Sequence, residues 1–191
     1  MAGPPVDLSF KNLSDMTAAV LSKPQRGLRP IRTNSEMKYL SSSLRLCYNQ
    51  IKDIAGLQSV VSHFLAKPTK LAWLDLSFNK IAKLDPVLCE LRELRMLNLH
   101  GNNISKLSDV DQLGVLPYLH TITLHGNPIE QIKGYRRHVI AALPQVKKMD
   151  FNVVTKEERV LANIWRDCSK AGKEQPPVAH TKPFIKECTM K

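Results

Sequence analysis

The sequence predicts an α/β solenoid, with a short parallel β-sheet on its concave face, helices on its convex face and extended arms at both ends. Three observations carry this. One 14-residue apolar template recurs along residues 41–132. The segments between its copies carry helical apolar spacing rather than strand alternation. The flanks hold nearly all of the net charge and read as cap or extended chain.

The template, L-x-x-L-x-L-x-x-N-x-I-x-x-L, is complete at Leu71, Leu74, Leu76, Asn79, Ile81 and Leu84. It fits again at Leu94, Leu97, Leu99, Asn102, Ile104 and Leu107, and at Leu119, Ile122, Leu124, Asn127, Ile129 and Ile132. A degraded copy has Ser41 in the first slot, then Leu44, Leu46, Asn49, Ile51 and Ile54. The four asparagines lie 30, 23 and 25 residues apart, which is leucine-rich-repeat spacing with one long insertion.

Each slot has a physical reason. The L-x-L core predicts a short strand whose two leucines point inward while the residue between them points out. Asparagine follows because its side-chain amide both donates to and accepts from turn backbone, including that of adjacent coils. Stacked coils then bury the leucines in one continuous core. In the first return segment, residues 56–66 place Leu57, Val60, Val61, Phe64 and Leu65 on one helical face. Shorter helical returns carry Val87, Leu88 and Leu91, then Val110, Leu113 and Leu116, with Pro68 and Pro117 marking helix exits. After the fourth repeat, Val146, Met149 and Phe151 form a half-pattern. Thr155-Lys156-Glu157-Glu158 spells a capping box, predicting a terminal helix that packs down through Val160, Leu161, Ile164 and Trp165.

Residues 41–166 therefore read as the repeat domain with its cap. Residues 1–40 read as a basic extended arm with a short helix within 9–21 using Phe10, Leu13, Thr17, Val20 and Leu21, and 167–191 as an extended tail. The formal net charge is +11, yet residues 41–132 contribute only +1. Basicity confined to the flanks suits arms lying on an acidic surface. Cys47, Cys89, Cys168 and Cys188 lie far apart without metal-ligand spacing, so reduced thiols are expected. No signal-peptide pattern and no apolar run long enough for a membrane span is present, so an intracellular, soluble protein is expected.

The Gly126-Asn127-Pro128, Tyr135-Arg136 and Leu143-Pro144 series resembles the C-terminal cap of the SDS22-like class of leucine-rich repeats. The resemblance extends to segments outside the repeats. Pro4-Pro5-Val6-Asp7-Leu8-Ser9-Phe10, Arg26-Gly27-Leu28-Arg29-Pro30, Leu71-Ala72-Trp73-Leu74-Asp75-Leu76-Ser77-Phe78-Asn79, Asp85-Pro86-Val87-Leu88 and two Leu-His-Gly-Asn turns resemble the leucine-rich repeat-containing protein 51 family, as far as Trp165. That resemblance implies a non-enzymatic protein of the ciliary or flagellar axoneme, on doublet microtubules, with tubulin and other axonemal proteins as partners. Its implied location is cytoplasm and cytoskeleton.

The expected binding surface is the concave face, at the outward strand positions Ser43, Arg45 and Cys47; Trp73, Asp75 and Ser77; Met96, Asn98 and His100; and Thr121, Thr123 and His125. Trp73 and Met96 form a candidate apolar anchor, against the alternative that one of the arms covers them. His100 and His125 share a slot in adjacent coils. No third ligand accompanies them, so hydrogen bonding to the turn is expected over a metal, and no cofactor is expected. Lys133, Arg136, Arg137, Lys147 and Lys148 form a basic cluster near the cap, while Arg26, Arg29 and Arg32 recur every third residue along the arm. Either group suits an acidic partner; the alternatives are a solvated face and a disordered arm. No P-loop, G-x-S-x-G, H-E-x-x-H or dinucleotide turn is found, so neither an enzyme nor a small-molecule substrate is expected. Two other readings are a regulatory adaptor of a phosphatase or dynein, and a ribonucleoprotein scaffold. The second lacks the aromatics that stack single-stranded bases.

Overall fold

The computed structural model describes residues 4–27 and 30–171. Among the described residues seven short strands form, and the second to the fifth fall where the L-x-L cores place them. The strands are β1 (Val6–Asp7), β2 (Ser43–Arg45), β3 (Trp73–Asp75), β4 (Met96–Asn98), β5 (Thr121–Thr123), β6 (Lys148–Met149) and β7 (Asn152–Val153). They form one sheet in chain order, parallel from β1 to β6 and closed by an antiparallel β6–β7 hairpin. Leu44, Leu74, Leu97, Ile122 and Met149 lie in register across β2 to β6, and every one is buried.

The asparagine slots explain how the coils bind one another. In Asn79 the Nδ2 donates to the Leu46 carbonyl of the preceding coil at 3.0 Å and to the Leu76 carbonyl of its own at 3.0 Å, while Oδ1 accepts from the Ile51 amide at 3.1 Å. Asn102 and Asn127 repeat this one coil further on. A buried side-chain ladder thus satisfies backbone groups that a turn leaves open.

The return segments match expectation in position and differ in type. Helix α2 (Leu57–Phe64) buries Leu57, Val60, Val61 and Phe64. The shorter returns are 3₁₀ turns, Pro86–Glu90 and Leu107–Val115, rather than α-helices. Coils only 23 and 25 residues long leave few residues for the return, and the tighter i→i+3 winding covers its path with fewer.

The N-terminal segment corrects the expected arm. β1 pairs with β2 as a further coil, Val6 and Leu8 are buried, and Asn49 Oδ1 accepts from the Lys11 and Leu13 amides at 2.9 and 3.1 Å. The helix is shorter than expected: α1 (Met16–Leu21) is capped by Asp15 and buries Met16 and Ala19, while Phe10 and Leu21 are exposed. The chain then returns along β1, where the Gln25 amide donates to the Asp7 carbonyl at 2.7 Å. The open end of the core is covered by these residues.

At the other end, α3 (Tyr135–Ala142) and α4 (Lys156–Ala171) pack together. The capping box forms: the Glu158 amide donates to Thr155 Oγ1 at 3.1 Å and the Thr155 amide to Glu158 Oε2 at 3.0 Å. The packing face of α4 is the expected one only at Trp165. Val160, Leu161 and Ile164 are 56%, 62% and 55% exposed, while Ala162 and Trp165 turn inward. The reason is electrostatic pinning. Arg159 donates to the carbonyls of Ile140 and Leu143, at 2.7 and 3.1 Å, and to that of Val146, and Arg136 forks onto Glu158. Helix α4 also continues through Ala171, so the tail expected from residue 167 begins as helix.

The residue just before each asparagine sits in the left-handed region, as Tyr48, Phe78, Gly101 and Gly126 show with φ of 55°, 52°, 67° and 68°. A Cβ on Gly101 would meet Phe78 Cδ1 at 2.7 Å. Gly101→Ala is therefore expected to lose about 1–2 kcal/mol from the backbone alone, with a further loss from displacing that ring. Gly134→Ala, at φ 85° with nothing within 4 Å of a new Cβ, isolates the backbone part. Urea midpoints of the two variants measure the difference.

Candidate protein-binding surface

The concave sheet presents fewer free side chains than alternation alone predicts. Asp75, Thr121 and Thr123 are buried, as are Ser43, Cys47 and Ser77. Asp75 Oδ1 turns back to accept from the Ser77 amide and hydroxyl at 3.1 and 2.6 Å. Burial, then the nearby Asp75 carboxylate, pushes the Cys47 thiol up to about 11, which keeps it protonated. These positions form the floor of the face and contribute little contact surface.

Standing above that floor are Arg45, Trp73, Met96 and Asn98, all half-buried. Trp73 and Met96 are register partners, as the repeat spacing requires. Arg45 lies between Asp7 and Asp75 in register, bonds Asp7 Oδ2 at 3.2 Å and sits 5.2 Å from the Trp73 ring centroid. The expected anchor is thus an Arg–Trp–Met row. β1 does not cross that row, because it extends the sheet edgewise beside β2.

His100 and His125 stack at 4.7 Å with their planes 8° apart. His100 Nδ1 lies 2.8 Å from Thr123 Oγ1, and His125 Nδ1 3.3 Å from Asp150 Oδ1. Burial, then the His125 charge, holds the His100 pKa below its ordinary value, favouring the neutral ring. Among the described residues no three His, Cys, Asp or Glu side chains are grouped to hold a metal ion.

The basic cluster divides in two. Lys147 and Lys148 reach the concave side at the end of the sheet, while Lys133, Arg136 and Arg137 lie with α3 on the return side. Arg136 is not free for a partner, because Glu158 takes both Nε and Nη2 at 2.6 and 3.0 Å. That guanidinium holds the Glu158 carboxyl at about 2, below its ordinary 4.5. A folded-state pKa below the unfolded one stabilises above pH 4.5 and is lost as pH falls toward 2. Acidification is therefore expected to loosen α4 within that window. Trp165 fluorescence in a Trp73→Phe background reads it, and Glu158→Gln is expected to remove the transition. On the N-terminal segment Arg26 and Arg32 are exposed, and Arg29 lies outside the described residues.

One surface feature was missed at the level of sequence. Phe10, Tyr48 and Phe78 occupy the left-handed slot of successive coils and stack at 4.5 and 4.4 Å. His100, edge-on to Phe78 at 5.1 Å, and then His125 continue the column. Stacking worth about 0.5–1.5 kcal/mol per pair offsets a comparable cost of the left-handed backbone. The template marks that slot as variable; the signal that finds it is Asp7-Leu8-Ser9-Phe10 repeated as Asp75-Leu76-Ser77-Phe78.

A parallel sheet on one face, a buried asparagine ladder and capped ends define a leucine-rich-repeat module, a class that binds other proteins. The leucine-rich repeat family pattern matches residues 44–177. Leucine-rich repeat-containing protein 51 of Mus musculus is 45% identical over 163 residues, 85% of each chain, and that of Homo sapiens 42% over the same length and coverage. The chain belongs to the leucine-rich repeat-containing protein 51 family. Human leucine-rich repeat-containing protein 23 is 30% identical over 132 residues, covering 69% of this chain and 36% of that protein. Among solved structures, a chain of the Drosophila melanogaster SNF/U2A' complex shares the fold with a TM-score of 0.62 at 21% identity, covering 85% of this chain and 100% of that one.

Proposed function

We propose that this chain is a non-catalytic adaptor that works as a structural component of ciliary or flagellar doublet microtubules, holding tubulin or another axonemal protein. The observation that carries the binding part is the half-buried Arg45–Trp73–Met96 row, an aromatic and cationic anchor of the kind that dominates interface energetics. Extensive similarity to the leucine-rich repeat-containing protein 51 family supports the setting. Basic residues at both ends suit an acidic polymer.

The test is retention. Tagged protein in a ciliated cell is expected to stay with axonemes after detergent removes the membrane, and Trp73→Ala is expected to reduce that retention several-fold without loss of folding. Complete extraction of the wild-type chain by detergent would refute the setting.

A further inference from the structure

The C-terminal end of the concave face holds a pocket of about 550 Å³ between the outward side chains of the last coils. Met96 and Asn98 of β4 form one wall, His120 and the Lys147–Lys148 pair the other, and Phe151 the rim. Its chemistry is one-sided. Among the described residues no carboxylate lines it, and neither Lys147 nor Lys148 forms an ion pair. Burial first, and then the charges of Arg95, Lys147 and Lys148, hold the His120 pKa below its ordinary value, reporting a local excess of positive charge. The opposite end of the face differs, since there Arg45 is paired with Asp7.

Phe151 supplies the second observation. The β6–β7 turn runs through Asp150 and Phe151 with φ of 49° and 65°, the geometry of a turn that favours Asn-Gly or Asp-Gly. Phe151 stands where glycine fits best, yet its ring is 70% exposed, touching the edges of His100 and His125 at 5.8 and 5.3 Å. Asp150 has a structural reason to be there: it accepts from the Leu124 and His125 amides at 2.7 and 3.0 Å and from the Tyr135 hydroxyl at 2.8 Å. As at Phe10, Tyr48 and Phe78, ring contacts offset the left-handed backbone at Phe151, and they leave most of its ring in solvent. An apolar ring held out at the mouth of a basic pocket fits a ligand that is apolar in one part and acidic in the next.

We propose that this pocket receives an acidic peptide segment of a partner protein, with one apolar side chain seated between Met96 and Phe151 and adjacent carboxylates on Lys147 and Lys148. The Asn98 amide is placed to meet the peptide backbone. Single-stranded nucleic acid is the weaker fit, because such binders line a long groove with many charges and open ring faces, and this pocket offers two lysines. The inference rests on the concave face being a protein-binding surface and is independent of the axonemal setting.

Fluorescence anisotropy on the full chain tests it with a labelled Gly-Glu-Glu-Leu-Glu-Glu-Gly probe at low salt. The acidic probe is expected to saturate, with at least tenfold weaker binding when its glutamates are lysines or its leucine is glycine. Lys147→Glu combined with Lys148→Glu is expected to weaken binding tenfold or more, both residues being exposed and, among the described residues, in no ion pair. Phe151→Gly is expected to weaken binding about fivefold while leaving the Tm unchanged or higher, which a purely structural Phe151 would not do. Absence of saturation by the acidic probe, equal binding by the lysine probe, or tighter binding by a labelled ten-nucleotide thymidine strand would overturn the proposal. Axonemal retention that survives the lysine reversals would overturn only a role of this pocket in that attachment.

Discussion

Leu97→Ala is expected to lower unfolding free energy by about 2–5 kcal/mol, the cost of a cavity in a core that cannot collapse around it. Leu97 is fully buried in β4, in register with Leu74 on one side and Ile122 on the other. Both neighbours are fixed by parallel ladders, so neither can move in without breaking strand pairing. Urea denaturation followed by circular dichroism reads the change, and the Tm should fall by several degrees. A transition indistinguishable from wild type would mean that the leucine register is misassigned.

Asn102→Ala is expected to cost about 3 kcal/mol or more, although it removes only a few atoms. Its Nδ2 donates to the carbonyls of Leu76 and Leu99 at 3.0 and 2.9 Å, and its Oδ1 accepts from the Ile81 amide at 3.0 Å. Alanine leaves the buried Ile81 amide without its acceptor, at about 1–3 kcal/mol, and each lost bond to the Leu76 and Leu99 carbonyls, which Asn79 and Asn127 still reach, costs about 0.5–1.5 kcal/mol more. Because the bonds join two coils, the loss should spread beyond one turn. Asn103→Ala, next door and exposed, is expected to stay within about 0.5 kcal/mol of wild type. Equal effects from the two substitutions would dismiss the ladder as a stabilising device.

The repeats were legible because their slots repeat a physical demand. A leucine pointing inward and an asparagine closing the turn recur at Leu74, Leu76 and Asn79 for the same reasons as at Leu97, Leu99 and Asn102. The ends were less legible because a cap meets only half of that demand. β1 has no template asparagine of its own and borrows Asn49 of the next coil, so Val6 and Leu8 look like ordinary arm residues. The face of α4 was hidden for another reason. Leu161 and Trp165 are neighbours on one side of the helix, so spacing alone does not say how far it turns toward Ala162, and that rotation is set by Arg159 and Glu158 reaching carbonyls and a guanidinium on α3 and the terminal turn.

Of the concave site, the row Trp73–Met96 followed from spacing alone, as did the stacking of His100 on His125. The burial of Thr121, Thr123 and Asp75 did not, since alternation says which way a side chain points and nothing of how tightly its neighbours close over it. The basic pocket required the hairpin that brings Lys147, Lys148 and Phe151 around to the level of Met96. In the sequence those residues are a charge run and a lone aromatic.

The parallel ladder ends at both margins, where the Gln25 amide meets β1 and the reversed strand β7 meets β6. Six parallel strands at about 4.8 Å spacing give a face roughly 24 Å across, the span of about seven extended residues. The protein is in that sense a gauge of fixed width, and whatever lies across it is measured from the arginine–tryptophan end to the lysine end.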